Sequence, residues 1–210
     1  GAAAVRSLRT DRDGATPLHW AACGASTSSA QMVFGSGGRA DVVRMLLESC
    51  RTEGEVRDAV GAETRDGNTP LMWAAWSGSS GVVRLLASPP YDQLLDTRHA
   101  NANGCTVAHW AAAGGSVDVC RVLTGLGTEW ERENQAGNTP LSHAVAQQQK
   151  EVVRYLVKEI GVHIRGAEKD LARRYVDWEE GGAQERREEN TGDPPGLRKE
   201  VLQTLISEEM

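Results

Sequence analysis

The chain has 210 residues, a formal net charge of −6 and 40% hydrophobic residues, a composition that suits one folded domain with an extension. The acidic balance argues against nucleic-acid binding, which requires a basic face. Its apolar residues form no run near the roughly 20 that cross a bilayer, and the first residues lack the apolar stretch of a secretory signal.

One nine-residue phrase occurs four times along the chain. Each copy begins with Gly, continues with Thr-Pro-Leu or a close variant, and ends in two small apolar residues, in the copies 14–22, 67–75, 104–112 and 137–145. Successive copies are offset by 53, 37 and 33 residues, counted between their threonines Thr16, Thr69, Thr106 and Thr139. Internal repetition at a few tens of residues indicates a repeat architecture.

Each phrase predicts the start of a helix. Threonine before proline is a good N-cap, and proline fits the first helical turn because its missing N–H would have no partner there. A second apolar segment follows each copy with helical spacing, at 42–47, 82–86, 119–123 and 152–156. The unit is therefore a turn, a helix, a loop and a second helix, and stacking such units creates the core.

This unit resembles the ankyrin repeat, whose core reads G-x-T-P-L-H-x-A-A followed by a helix of the type V-V-x-x-L-L. The last spacing equals the ankyrin period of about 33 residues. The resemblance implies an all-α ankyrin-repeat solenoid over residues 1–165, with repeats at about 10–50, 64–98, 101–133 and 134–162. It also implies a surface for another protein, with no cofactor and no reaction.

Insertions interrupt the repeats. The longest expected ones are residues 25–37, inside the first repeat, and residues 51–63, before the second turn; a shorter one is 88–92. We expect these segments to be loops, either without a partner or with a role in binding. We expect residues 25–37 to be either a lid over the binding surface or a loop without a binding role.

Residues 166–210 form a separate acidic extension in this interpretation. They carry 12 acidic and 7 basic side chains. We expect a helix over 167–178, a disordered linker over 181–196 and a short amphipathic helix over 197–209. That last helix docks on the final repeat, binds a partner or frays. The polar sequence 146–149 suits a capping repeat.

No segment predicts catalytic, cofactor-binding or metal-binding residues. Residues 35–40 match G-x-G-x-x-A, but no βαβ unit surrounds them. Cys105 and His109 are four residues apart, yet further metal ligands are absent from the pattern. The four cysteines lack a C-x-x-C pair, which favours free thiols in a reducing compartment, the cytoplasm or nucleus.

The family resemblance assigns a structural role to two histidines. His19 and His109 occupy the His position of the phrase, where the side chain forms a hydrogen bond near the turn between neighbouring repeats. Met72 and Ser142 replace this histidine in the second and fourth repeats, so we expect those repeats to lose the bond.

The resemblance also places a concave binding groove on the chain. Its turn tips contribute Arg12, Asp13, Arg65, Asp66, Asn68, Ala102, Asn103, Gln135 and Asn138, and its helix ends contribute Trp76, Ser77, Gln147 and, less firmly, Cys23. The equivalent residues Trp20, Trp73 and Trp110 form a column that either packs between repeats or offers an aromatic ledge. Trp76 either anchors a partner, since tryptophan often dominates interfaces, or simply packs against its neighbours.

Two functions fit these features. The first is an adaptor or scaffold, expected to be a monomer, that grips another protein in the groove. The second is a regulatory or targeting region of a larger protein, such as an enzyme of the kinase or ubiquitin ligase class. This hypothesis is suggested by the first residue, which is Gly rather than Met.

Overall fold

A computed structural model describes Arg9 and residues 13–24, 39–166, 168 and 169, and these residues contain helices and turns but no β-strand. In chain order the helices are α1 (Pro17–Cys23), α2 (Ala40–Glu48), α3 (Glu53–Val60), α4 (Pro70–Trp76), α5 (Ser80–Leu86), α6 (Val107–Gly114), α7 (Val117–Gly125), α8 (Pro140–Ala146) and α9 (Lys150–Arg154). Helix α9 continues as a π-helical turn, Tyr155–Ile160, and a 3₁₀ turn spans Asp92–Leu94. The arrangement confirms the all-α solenoid of helix–turn–helix units.

The helices form two layers. The inner layer contains α1, α4, α6 and α8, and each of these contacts the next along the stack. The outer layer contains α2, α5, α7 and α9, which also contact one another in sequence. Since most of these helices have only seven to nine residues, packing rather than intrinsic propensity must stabilise them.

Small residues allow the inner helices to approach closely. The paired alanines Ala74 and Ala75 on α4, and Ala111 and Ala112 on α6, are fully buried. At Gly114 the approach is so close that a Cβ atom would lie 2.5 Å from the carbonyl oxygen of Trp76. The core therefore lies between successive units, and it is completed by aliphatic residues of the outer helices such as Val82, Leu86 and Leu123.

The prediction of a loop at residues 51–63 is wrong. Most of this segment forms α3, whose first turn is capped by Thr52, with the Thr52 hydroxyl accepting a hydrogen bond of 3.2 Å from the Glu55 backbone N–H. Val60 is buried on the core, and Val56 and Ala59 pack beside it. The helix forms because these apolar residues, at spacings of three and four, cover the side of the second repeat.

Other expectations about insertions and tail fall mainly outside the described residues. These are the insertion 25–37, the glycine-rich match at 35–40 apart from Arg39 and Ala40, the helix at 167–178 apart from Glu168 and Lys169, the linker 181–196 and the helix 197–209. The described helices include none with the length and apolar character that a bilayer span needs.

Candidate functional site

A tight hairpin precedes each of the last three inner helices. In the third repeat, the Asn101 N–H donates to Cys105 O at 3.0 Å, and the Gly104 N–H donates to Asn101 O at 2.8 Å. The Asn101 side chain fixes the same turn, because its Oδ1 accepts hydrogen bonds from the backbone of Asn103 and Cys105. Asn134 repeats this arrangement in the fourth repeat, with Oδ1 accepting from Ala136 and Asn138.

Backbone hydrogen bonds join successive hairpin tips. The Arg65 N–H donates to Asp13 O at 2.8 Å, and the Ala102 N–H donates to Asp66 O at 2.8 Å. The Gln135 N–H donates to Asn103 O at 3.0 Å. The four tips are thus linked in one continuous row, which fixes the distances between the side chains that project from them.

Most predicted tip residues lie on this row with exposed side chains. The exposed members are Arg65, Asp66, Ala102, Asn103, Gln135 and Asn138, while Asp13 is half-buried. Arg12 lies outside the described residues.

Asn68 is a correction, because its side chain is buried with only 9% exposed. Its backbone carbonyl accepts a hydrogen bond from His19, and its Oδ1 accepts one of 2.7 Å from Asn101 Nδ2. Asn68 therefore joins three repeats internally and is no part of a contact surface.

The two histidines of the phrase are buried connectors between repeats, as the resemblance implies. The Thr16 N–H donates to His19 Nδ1 at 3.1 Å, so the ring proton resides on Nε2, which donates to Asn68 O at 2.9 Å. His109 has the same contacts with Thr106 and Asn138. Burial lowers the pKa of each histidine to about 4, because a charged imidazole would lose its hydration there.

We expected the fourth repeat, with Ser142 in place of histidine, to lose the hydrogen bond near the turn between repeats, and this prediction is only half correct. Ser142 keeps the local part, since its Oγ accepts from the Thr139 N–H at 3.2 Å. It also donates to Glu168 Oε1 at 2.9 Å, so a carboxylate takes the place of the neighbouring carbonyl. In the second repeat, Met72 has no polar atom for such a bond, and His99 Nε2 instead lies 2.7 Å from Gly67 O at this junction.

Of the predicted helix-end residues, three lie on the accessible surface. Trp76 is 37% exposed at the end of α4, Gln147 is exposed after α8, and Ser77 is half-buried. The Ser77 hydroxyl donates to Ala74 O at 3.1 Å. Cys23, in contrast, is fully buried at the end of α1, so it is removed from the candidate surface.

The four tryptophans of the inner helices α1, α4 and α6 form two pairs rather than one column. Trp20 and Trp73 meet edge to face with ring centroids 5.2 Å apart, and Trp76 meets Trp110 in the same way at 5.9 Å. Trp20, Trp73 and Trp110 are half-buried. They therefore pack between inner helices and still present part of each ring to the surface.

The side chains of Cys105, His109 and Cys120, which could bind a metal ion or act as nucleophiles, are buried or already hydrogen-bonded. Both ring nitrogens of His109 are engaged in hydrogen bonds, so its imidazole has no lone pair left for an ion shared with Cys105, whose sulfur accepts from Asn134 Nδ2 at 3.3 Å. Within the described ranges no three His, Cys, Asp or Glu side chains come together in a way that could hold a metal ion. Burial raises the pKa of Cys120 to about 12, which makes that thiol a poor nucleophile.

Sequence reasoning missed three residues that build the site. Asn101 and Asn134 occur 33 residues apart, three positions before the turn glycine, and this repeated asparagine was a usable signal. Glu168 follows Asn134 by 34 residues, but its sequence neighbours place it in the charged extension. Its side chain is only 1% exposed, so it belongs to the last repeat.

The chain shows similarity to known proteins across the whole stack. A family model described as ankyrin repeats (3 copies) matches residues 11–95 and 91–166. Zinc finger CCCH domain-containing protein 50 of Oryza sativa subsp. japonica is 36% identical over 104 residues, which cover 45% of this chain and 16% of that protein. Neurogenic locus notch homolog protein 1 of Danio rerio is 29% identical over 161 residues, covering 63% of this chain and 6% of that protein.

A third relative is diacylglycerol kinase zeta of Rattus norvegicus, which is 34% identical over 88 residues, covering 42% of this chain and 9% of that protein. The chain thus spans less than a fifth of the length of these relatives. The family match, in contrast, covers most of the chain and coincides with the stacked helix pairs and linked hairpins. The chain belongs to the ankyrin repeat family.

Proposed function

We propose that the chain is an adaptor or scaffold module that binds a partner protein on its concave surface. Ankyrin repeats are in general protein–protein interaction modules, and the finer assignment here is supported by one observation. The exposed tip residues Arg65, Asp66, Asn103, Gln135 and Asn138 project from a row of hairpins held together by backbone hydrogen bonds. Such side chains bind without a large loss of backbone entropy, because the row is already ordered.

Trp76 is the proposed anchor of this surface. It is one of the two large hydrophobic side chains that are exposed in the described part of the chain. Its position at the end of α4 sets it beside the concave face, near Ser77 and the half-buried Trp110. Because interface energy concentrates in a few large residues, we expect Trp76→Ala to weaken binding by more than about 2 kcal/mol.

The test is affinity capture with two matched triple variants of the 210-residue chain. The groove variant carries Arg65→Ala, Asp66→Ala and Trp76→Ala. The control variant carries Arg44→Ala, Met45→Ala and Glu48→Ala on the outer helix α2, which also removes one cation, one anion and one exposed apolar side chain. Circular dichroism on all three proteins checks that the fold is kept.

A partner recovered by the wild type and the control variant, but lost with the groove variant, supports the proposal. If the groove variant recovers the same proteins as the control variant, binding does not use the concave surface. If the groove variant unfolds, the single variant Trp76→Ala is measured next; if that variant also unfolds, Trp76 is a core residue and the anchor is wrong.

A second candidate function is that of a regulatory or targeting part of a larger protein. It is favoured by the observation that the matched relatives are all several times longer than their region of similarity. An antibody against the chain, applied to extracts of its source, tests this idea. A band much larger than the 210-residue chain supports it, and a band of matching size contradicts it.

A further inference from the structure

The floor of the concave surface carries no charge. The inner helices α1, α4, α6 and α8 contain no Asp, Glu, Lys or Arg. The loops that follow three of them, residues 77–79, 115–116 and 147–149, contain only Ser, Gly and Gln. The outer helices, in contrast, carry acids and bases such as Asp41, Arg121 and Glu151.

This distribution restricts the partner. A charged side chain laid on the floor would lose hydration and find no opposite charge there, which is unfavourable. Among the described tip residues, the charged ones are Asp13, Arg65 and Asp66 of the first two repeats, whereas the tips of the third and fourth repeats present Asn103, Gln135 and Asn138. The surface therefore matches a segment without net charge that offers apolar rings and backbone carbonyls.

The tryptophans provide apolar corners on this floor. Trp20 and Trp73 are nearly perpendicular at 85°, and Trp76 and Trp110 at 87°, so the two rings of each pair meet in a right-angled apolar corner. Trp73 and Trp76 are three residues apart on α4 and face the same side of that helix. The two pairs thus form one aromatic strip that crosses α1, α4 and α6.

The spacing of the two corners can be estimated from helix geometry. Neighbouring packed helices lie about 9 Å apart, and one helical turn rises 5.4 Å, which puts the corners roughly 10 Å from each other. A polyproline II helix repeats every three residues, or about 9 Å. Prolines three positions apart would therefore meet successive tryptophan corners.

We propose that the concave surface binds an uncharged, proline-rich segment of its partner in the polyproline II conformation. Its pyrrolidine rings lie against Trp20, Trp73, Trp76 and Trp110. The amide side chains of the tips, such as Asn103 and Gln135, donate to its backbone carbonyls, which have no internal partners in this conformation. This inference rests on the proposed function, whose surface it shares.

The probe is acetylated, amidated decaproline, titrated into the full chain while intrinsic tryptophan emission is recorded. Decaproline neither absorbs nor emits in the near-ultraviolet range used for tryptophan, so a change in the emission spectrum reports on the protein. We expect saturable binding with a Kd below about 1 mM. Trp76→Ala should weaken it at least about tenfold, whereas Met45→Ala, on α2 and 68% exposed, should leave it unchanged.

Two control peptides sharpen the result. A glycine–serine decapeptide tests the need for proline, and a decaproline analogue with Lys at every third position tests the need for an uncharged chain. Both should bind at least about tenfold more weakly than decaproline. Equal binding of the glycine–serine peptide, no binding of decaproline, or equal affinity in Trp76→Ala overturns the inference.

Failure of this inference is separable from failure of the proposed function. If decaproline does not bind but the groove triple variant still loses a captured partner, the concave surface binds another class of segment. If the groove variant retains every partner, the proposed function itself is wrong.

Discussion

Glu168 Oε1 accepts a hydrogen bond of 2.9 Å from Ser142 Oγ, deep at the end of the stack. The same oxygen accepts from Thr139 Oγ1 at 2.9 Å, and Oε2 accepts from the Arg165 N–H at 2.8 Å. In the third repeat, the corresponding acceptor is the backbone carbonyl of Asn138, which serves His109. In the fourth repeat a side-chain carboxylate thus takes the place that a backbone carbonyl has in the third.

We predict that Glu168→Ala destabilises the chain by about 2–3 kcal/mol, because two buried hydroxyl groups and the Arg165 N–H lose their acceptor. Urea denaturation measures this loss, and hydrogen exchange should quicken first in α8. The matched control is Glu159→Ala, which removes a carboxylate that is 54% exposed and paired with Arg121 at 3.3 Å. Its effect should stay below about 1 kcal/mol. Equal effects of the two substitutions would contradict the capping role of Glu168.

Acid should destabilise the fold through His19 and His109. The pKa of each is about 4 in the folded chain, against about 6.5 for an exposed histidine, so the unfolded state binds protons first. The stability is complete above about pH 6.5 and is lost as the pH falls toward 4. Each histidine should remove roughly 2 kcal/mol between pH 6.5 and pH 5.

The comparison variant for this pH effect is His109→Gln, which keeps a donor and an acceptor but does not titrate. Urea titrations at pH 7, 6 and 5 should show a shallower pH dependence in this variant than in the wild type. An unchanged pH dependence would mean that protonation of His109 does not weaken the contact between the third and fourth repeats.

Two turn glycines with the same backbone conformation should differ in their tolerance of alanine. Gly104 and Gly137 both have φ of +76°, which costs an alanine about 1 kcal/mol. A Cβ at Gly104 would lie 2.8 Å from the Gln135 backbone nitrogen, whereas one at Gly137 meets no heavy atom within 4 Å. Gly104→Ala therefore also strains the bond between the third and fourth hairpins.

We expect Gly137→Ala to cost about 1 kcal/mol of unfolding free energy and Gly104→Ala at least about 2 kcal/mol. Thermal and urea denaturation of both variants measure the difference. Similar losses in the two proteins would show that the contact between hairpin tips contributes little to stability.

Alkylation of the native chain should be selective for one of its cysteines. Cys50 is half-buried, while Cys23, Cys105 and Cys120 are buried. Burial also raises the pKa of Cys120 to about 12, so almost none of it is thiolate at pH 8. Iodoacetamide followed by peptide mass spectrometry should find Cys50 modified first, and all four sites modified in urea. Early labelling of Cys120 would contradict its buried position.

The repeated phrase predicted the fold because each of its residues has a local reason to be there. Thr69, for example, caps α4, and the following proline starts that helix, so the element could be placed from sequence alone. Helix α3 was missed although Thr52 and Glu55 have the spacing of a capping box, because its apolar face depends on the neighbouring repeat.

The candidate site was only partly predictable. Exposure of the tips at Asp66 and Asn103 follows from their turn position, which recurs in every unit. The burial of Asn68 does not, because it depends on contacts with His19 and Asn101, which lie 49 and 33 residues away. The pairing of Trp76 with Trp110 likewise depends on how closely α4 and α6 approach at Gly114.

The hydrogen bonds between hairpin tips involve only main-chain atoms, from Asp13–Arg65 through Asp66–Ala102 to Asn103–Gln135. Every amino acid except proline can supply the N–H that such a bond needs. Substitution of the side chains of residues such as Asp66 and Asn103 therefore leaves the hydrogen bonds between neighbouring repeats in place. The side chains of the proposed binding surface can thus vary from one sequence to another while the row of hairpins stays the same.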